Sequence, residues 1–235
     1  MRMVRATIIL PIYNERKNLV QNFPGIYAEA KRLGSTEIII SEDGSDDGTA
    51  EISRKFARLP GVRVLHRAQK SGRGAALKRS IRAARGRVIG YMDIDLSVPL
   101  QYMEKAIEKV EEGNKIVIGS RYAKGARIKR DALRHLLSSG YNWLLFLSFG
   151  SRVKDHQCGF KFFDGKYAKA AIGKIKDDHW FFDSEMLILA QRGGIVPYEL
   201  PVEWKEHRET KVRPRDILLF LKSIVRLRFS GRQDS

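Results

Sequence analysis

The sequence predicts an α/β fold, with one mostly parallel sheet covered by helices on both faces, in a single domain. Three observations predict it. Short β-branched runs alternate with amphipathic helical stretches through the first half of the chain. The strand-like runs are nearly unbroken in apolar character, as strands buried on both faces are. Polar clusters follow directly on three of those runs, at the strand ends where open α/β sheets bind ligands.

In chain order, residues 7–10, 37–40, 62–65, 88–91 and 115–118 read as strands. Between them, 15–33, 49–57, 74–84 and 100–112 carry apolar residues at helical spacing. Beyond about residue 121 the pattern loosens. Residues 123–131 are basic, Gly-containing and aperiodic, which predicts a mobile loop. Residues 133–149 read as a helix whose apolar positions nearly encircle it, including Leu136, Leu137, Trp143, Phe146 and Leu147. A strand over 157–163, a helix over 182–191 and a strand over 195–204 follow. Residues 216–229 mix Leu218, Leu221 and Val225 with Lys222, Arg226 and Arg228, an amphipathic helix before a frayed tail.

The 235 residues suffice for one sizeable core, and 43% hydrophobic with 30% charged residues is ordinary for a globular protein. The charge balance is not. Against 27 Asp+Glu stand 44 Lys+Arg, a formal charge of +17 that predicts attraction to nucleic acid, anionic lipid or phosphorylated substrates. No acidic residue lies between Ile52 and Met92, a stretch holding Arg54, Lys70, Arg73 and Arg79 among others. The single cysteine, Cys158, excludes an intramolecular disulfide and a Cys-rich zinc site. The N-terminus runs straight into a strand, so no signal peptide is expected, and no apolar run reaches transmembrane length.

Asp93 and Asp95 stand one residue apart at the end of the fourth strand. Two anionic oxygen ligands there suit a hard cation such as Mg²⁺ or Mn²⁺, which keeps part of its shell for substrate phosphates. Alone, such a pair also arises as solvated charge or turn caps. Pro11, Tyr13, Asn14 and Glu15 follow the first strand; Asn14 as a helix cap competes with Tyr13 and Glu15 as nucleobase or ribose contacts. Glu42, Asp43, Asp46 and Asp47 crowd a turn with Gly44 and Gly48 after the second strand. Asp46 or Asp47 would cap the next helix, and Asp43, nearest the strand end, suits a base or ribose. Residues 70–76 precede a helix and would cradle phosphate with backbone N–H groups and Arg73, or simply start that helix. They match neither a Walker A loop nor the dinucleotide glycine fingerprint.

Five motifs in order, at 11–15, 42–49, 93–95, 119–122 and 157–161, resemble glycosyltransferase family 2, and within it the polyprenyl-phosphate (dolichyl-phosphate) hexosyltransferases. The segments at 157–161, 182–185 and 226–229 lean towards dolichyl-phosphate β-glucosyltransferases, with dolichyl-phosphate mannose synthases the nearest relatives. The resemblance implies a GT-A fold, a nucleotide-binding part over about 1–120 and an acceptor part over about 121–230. It gives Pro11, Tyr13, Glu15, Asp43 and Asp93 to the nucleotide, Asp93 and Asp95 to the metal and diphosphate, and Arg121 to the reacting phosphates. Arg134, Lys211 and Arg213 are further candidates for the acceptor phosphate, and Asp183 and Glu185 for orienting the sugar. Ser97 stands where mannose synthases often carry a Gln ligand, which leaves the third metal ligand open.

The implied reaction is metal-dependent, inverting transfer of glucose or mannose from UDP-glucose or GDP-mannose to dolichyl or polyprenyl phosphate, in protein glycosylation. A phosphate monoester is largely ionised at neutral pH, so it needs positioning rather than a strong base. A lipid acceptor implies peripheral contact with an anionic membrane, through 133–149 and 216–229, on its cytoplasmic face. A soluble sugar or polysaccharide acceptor is the close alternative. A basic nucleic-acid-binding protein is more distant, because acidic clusters at three strand ends would repel phosphate, and no nucleic-acid partner is expected.

Overall fold

Ile8, Ile9, Leu10 and Ile12 show why the first strand is central: alternate side chains enter opposite cores and all are buried. In the computed structural model, which describes residues 3–129, 132–205 and 214–230, that strand is β1, Ala6–Ile12. It is followed by α1 (Arg16–Arg32), β2 (Thr36–Asp43), α2 (Thr49–Phe56), β3 (Val62–Arg67), α3 (Arg73–Ala83), β4 (Val88–Met92), α4 (Tyr102–Glu111) and β5 (Ile116–Ser120). The second half adds β6 (Arg127–Lys129), α5 (Ala132–Phe149), β7 (Phe160–Asp164), α6 (Gly165–Ala171), α7 (Phe182–Arg192), β8 (Tyr198–Pro201), β9 (Glu203–Lys205) and α8 (Pro214–Ser230).

The main sheet runs β3-β2-β1-β4-β7-β5-β8. β1 to β4 are parallel, with Ile8 opposite both Ile38 and Gly90. β7 enters antiparallel between β4 and β5, a placement the sequence pattern does not reveal. Gly90 admits it, since a Cβ there would lie 2.4 Å from the Phe162 ring. One face of the sheet packs Ile8, Leu10 and Phe162 against Phe23 and Ile107; the other packs Ile9, Tyr91 and Phe163 against Leu77 and Leu187. A third cluster joins Leu145, Phe181, Ile188, Ile224 and Leu227, binding α5, α7 and α8 together.

Three expectations change. The stretch expected to be a mobile loop contains β6, which pairs with β9 in a two-stranded sheet, Ile128 opposite Trp204. The strand expected over 195–204 divides into β8 and β9, because the chain leaves the main sheet after Pro201. α6 is an added helix, capped by the Asp164 carboxylate accepting from the Tyr167 N–H at 2.8 Å. Among the described residues no helix is long and apolar enough to cross a membrane. Leu136, Leu137, Trp143, Phe146 and Leu147 on α5, and Leu219, Leu221, Val225 and Phe229 on α8, are nevertheless exposed.

Candidate active site

The carboxyl ends of β1, β2 and β4 meet at one edge of the sheet, as the topology demands. After β1 the chain turns sharply at Asn14, whose φ of 53° is left-handed. Asn14 does not cap α1. Its side-chain N–H donates to Asp46 Oδ1 at 2.8 Å, and its own Oδ1 accepts from the Asp46 N–H at 3.1 Å, clasping the two loops. Asp47 takes the capping work, accepting from the N–H groups of Thr49 (3.0 Å) and Arg16 (3.1 Å) at the starts of α2 and α1. Glu15 is buried, its N–H donating to Thr49 Oγ1 at 2.9 Å and its carboxylate accepting from Asn18 at 2.7 Å. Beneath this turn Glu42, fully buried, accepts from the Ser45 N–H at 2.6 Å and pairs closely with His66. Burial pushes its carboxyl up, but the Ser45 and His66 hydrogen bonds more than reverse that and hold it below the usual carboxylate range.

Asp43 ends β2 facing the loop before α3. Its oxygens accept from the N–H groups of Ser71 (3.0 Å) and Gly72 (2.8 Å) and from the Ser71 hydroxyl at 2.5 Å. Gly44 allows this approach, as a Cβ there would lie 2.7 Å from the Lys70 nitrogen. The Lys70 ammonium in turn sits 3.7 Å from the centre of the Tyr13 ring. The structure therefore sets the Tyr13 ring against the loop that Asp43 fixes, with Pro11 and Glu15 on either side of Tyr13 at the end of β1. It corrects the reading of 70–76 as a phosphate cradle, because the N–H groups of Ser71 and Gly72 go to Asp43 and that of Ala75 to the Asp178 carbonyl at 3.0 Å. The Arg73 guanidinium of that reading faces the end of β4.

At the end of β4 the Asp93 N–H donates to the Gly159 carbonyl at 3.1 Å, and Asp93 Oδ1 lies 2.9 Å from Arg73 Nη1. Gly159 has no room for a side chain: a Cβ would stand 2.0 Å from Asp93 Oδ2. Asp95 is buried and accepts from the Ser97 N–H at 3.1 Å, across a left-handed Leu96 with φ of 55°. A small cleft opens here, lined by Met92, Asp93, Ser97, Val98, Gly159, Phe160 and Trp204. The Asp93 side chain is 28% exposed towards solvent, so one of the two carboxylates is open to a ligand. Among the described residues no three His, Cys, Asp or Glu side chains gather into a cage. The pair fits a hard cation that completes its shell from phosphate oxygens and water, and does not form an all-protein site.

Behind the cleft two buried ion pairs fix the geometry. Arg121 donates through Nε and Nη2 to both oxygens of Asp155, at 2.8 and 2.7 Å, and lies 4.7 Å over the Trp204 ring. Burial pushes the Asp155 carboxyl up, and the guanidinium more than reverses that, leaving it below its ordinary value. Lys161, fully buried, donates to Asp183 Oδ1 at 2.7 Å, where the Tyr91 hydroxyl also donates at 2.5 Å. Asp183 Oδ2 faces Arg73 Nε at 3.7 Å, which links this pair to Asp93.

Glu185 points elsewhere. It accepts from the N–H groups of Lys176 (3.2 Å) and Asp177 (2.8 Å) and from Arg226 of α8 at 2.9 Å, while Ser223 of α8 donates to Asp177 at 2.9 Å. Among the described contacts it braces the 175–180 turn and does not reach the Asp93 cluster. Arg134 is carried on the first turn of α5, and Lys211 and Arg213 lie outside the described residues. Sequence reasoning missed Asp155, Lys161 and Trp204 as parts of the site. The only local signal was their position in or beside the motif at 157–161 and in the last strand.

A family model described as Glycosyl transferase family 2 matches residues 7–172. Glycosyltransferase AglD of Haloferax volcanii is 36% identical over 230 residues, covering 95% of this chain and 37% of that protein. The dolichyl-phosphate beta-glucosyltransferase ALG5C of Trichomonas vaginalis is 32% identical, covering 95% and 71% respectively. The dolichyl-phosphate beta-glucosyltransferase of Saccharomyces cerevisiae is 31% identical, covering 95% and 74%. The chain thus spans under half of AglD and about seven-tenths of the other two. Among solved structures, glucosyl-3-phosphoglycerate synthase of Mycobacterium tuberculosis, in complex with Mn²⁺, UDP and glucosyl-3-phosphoglycerate, superposes with a TM-score of 0.68 at 18% identity, covering 96% of this chain and 79% of that one. Mannosyltransferase PcManGT of Pyrobaculum calidifontis, with GDP-Man and Mn²⁺, gives 0.65 at 16%, covering 98% and 64%. These likenesses establish a shared GT-A fold.

Proposed function

This chain belongs to glycosyl transferase family 2, and we propose that it moves a hexose from a nucleotide-diphosphate sugar to dolichyl or polyprenyl phosphate, inverting the anomeric centre. The observation that carries the reading is the meeting of the Tyr13, Asp43 and Asp93 loops at one sheet edge, in a chain whose curated relatives include dolichyl-phosphate beta-glucosyltransferases. Glucose is the preferred sugar on the names of those relatives, with UDP as the carrier the family resemblance implies and GDP-mannose second.

Each residue then has a task. Pro11, Tyr13, Glu15 and Asp43 hold the nucleoside, Tyr13 directly and Asp43 through the loop it fixes. Asp93 and Asp95 hold Mg²⁺ or Mn²⁺, which when bound supplies positive charge against the departing nucleoside diphosphate. Arg121, held by Asp155 behind the cleft, adds fixed positive charge near the reacting phosphates, with Arg134, Lys211 and Arg213 as the cationic contacts for the acceptor phosphate. The acceptor oxygen is already anionic, so rate comes from placing it in line with the anomeric carbon and from stabilising the leaving group. Asp183 has the role of a fixed counter-charge for Lys161 and Arg73 rather than that of a base. The exposed apolar residues of α5 and α8, beside Arg226 and Arg228, are the surface proposed for peripheral contact with anionic lipid at the cytoplasmic face.

A transfer assay with Mn²⁺, offering labelled UDP-glucose and GDP-mannose separately to a short polyprenyl phosphate, tests the reading. Lipid-extractable label from one donor, lost in Asp95→Ala, is the expected result. Nucleotide binding without transfer to lipid from either donor would overturn the lipid acceptor, and soluble acceptors would then be screened.

A further inference from the structure

We propose that Arg73 makes cation binding conditional on the nucleotide, neutralising Asp93 in the free protein and passing to the donor's diphosphate when donor and cation enter together. The inference rests on the reading above, that Asp93 and Asp95 hold the cation.

Arg73 opens α3 with its side chain 13% exposed. Nη1 contacts Asp93 Oδ1 at 2.9 Å, within hydrogen-bond range, whereas Nε stands 3.7 Å from Asp183 Oδ2, outside it. The guanidinium is thus committed to Asp93 and only loosely engaged with Asp183. Tyr91 and Trp180 flank it, with ring centres 5.9 and 5.7 Å away. Arg73 and Lys161 against Asp93 and Asp183 give two positive and two negative formal charges, so these four groups balance, with the Asp95 carboxylate outside that sum.

A divalent cation approaching Asp93 therefore meets a carboxylate already carrying a guanidinium, and like-charge repulsion weakens its binding. A diphosphate changes the balance by offering the planar guanidinium a set of anionic oxygens it can bind in bidentate fashion. The backbone gives Arg73 a fixed base from which to do this. Gly72 and Gly74 pack so tightly on the 177–179 turn that a Cβ would lie 2.4 Å from the Asp178 carbonyl oxygen and 2.8 Å from that of Asp177. The side chain is the part free to change partner. Coupling of this kind is reciprocal: the nucleotide raises cation affinity by the same factor as the cation raises nucleotide affinity.

Mn²⁺ binding to the whole chain, followed by the electron paramagnetic resonance of free Mn²⁺ with and without UDP or GDP, tests the proposal in wild type, Arg73→Met, Arg73→Gln and Arg73→Lys. Arg73→Met and Arg73→Gln should each bind Mn²⁺ alone about ten-fold or more tightly than wild type, from removal of a neighbouring positive charge. The enhancement by nucleotide should shrink in the same two variants, and Arg73→Lys should keep the weak metal binding. Either neutral variant suffices if the other fails to fold. Mn²⁺ binding without nucleotide that is no tighter than wild type in the neutral variants would overturn the role given to Arg73. Mn²⁺ binding that survives Asp95→Ala would instead overturn the assignment of the carboxylates.

Discussion

Asp155→Ala removes one side chain and strands another. Arg121 loses both acceptors of its fork, at 2.8 and 2.7 Å, and its backbone N–H loses a third bond at 2.9 Å. The two side chains are 4% and 0% exposed, so water cannot replace what is lost. Leaving a buried charge unpaired costs on the order of 3–5 kcal/mol. For a chain of this size each kcal/mol lowers Tm by about 2–4 °C, so the variant should melt roughly 6–20 °C below wild type. Urea unfolding measures the same loss at constant temperature. The double variant Asp155→Ala/Arg121→Met removes the stranded charge as well and should recover part of the loss. A loss under about 1 kcal/mol in Asp155→Ala, or a double variant less stable than the single, would refute the reasoning that Arg121 depends on this one partner. Acid should act on the same pair. The native Asp155 carboxyl titrates below its unfolded value, so its contribution is complete above the unfolded value and is lost as pH falls through the native one.

His156 is expected to oppose stability in mild acid. Burial first, and then the charge of Lys161, push its native value down to about 3, so between about 6.5 and 3 only the unfolded chain takes the proton. Stability should therefore fall with pH across that window by up to about 1.4 kcal/mol per unit, and urea titrations of His156→Gln should show a shallower slope than wild type. Gly159→Ala forces the Asp93 carboxylate off its position against Arg73; transfer activity should fall about ten-fold or more with only a modest change in melting. Trp143→Glu and Leu147→Glu on the exposed face of α5 should reduce sedimentation with anionic vesicles while leaving UDP affinity unchanged, and unaltered sedimentation would count against that surface as the lipid contact.

The parts of this molecule that were legible in its sequence are those decided locally. β1, β2 and β4 announce themselves because they bury both faces and read as apolar runs, and the clusters at Tyr13, Asp43 and Asp93 follow those runs directly. β7 was placed near the right residues but not in the sheet, since its position between β4 and β5 depends on Gly90 admitting Phe162 from 72 residues away. The same holds for side-chain partners. Arg121 was singled out as a phosphate ligand, yet nothing near it in sequence names Asp155 as its acceptor. Glu185 shares a helical turn with Asp183, and the two diverge because Glu185 meets the 175–180 turn and α8, contacts no periodicity encodes. β6 escaped notice because three residues paired to a distant strand leave no pattern.

The contacts of α8 with Asp177 and Glu185 bear on how the protein opens. Ser223 and Arg226 reach the acidic residues that brace the 175–180 turn, and that turn lies directly against Gly72 and Gly74, on either side of Arg73. A fluctuation that lifts α8 from the surface would leave Glu185 and Asp177 without their basic partner and release the backbone on which Arg73 stands. In hydrogen exchange the amides of Lys176 and Asp177, bonded to Glu185, should open together with those of α8 rather than with the β1–β4 core. α8 and the start of α3 would then form one cooperative unfolding unit, although 140 residues lie between Arg73 and Pro214.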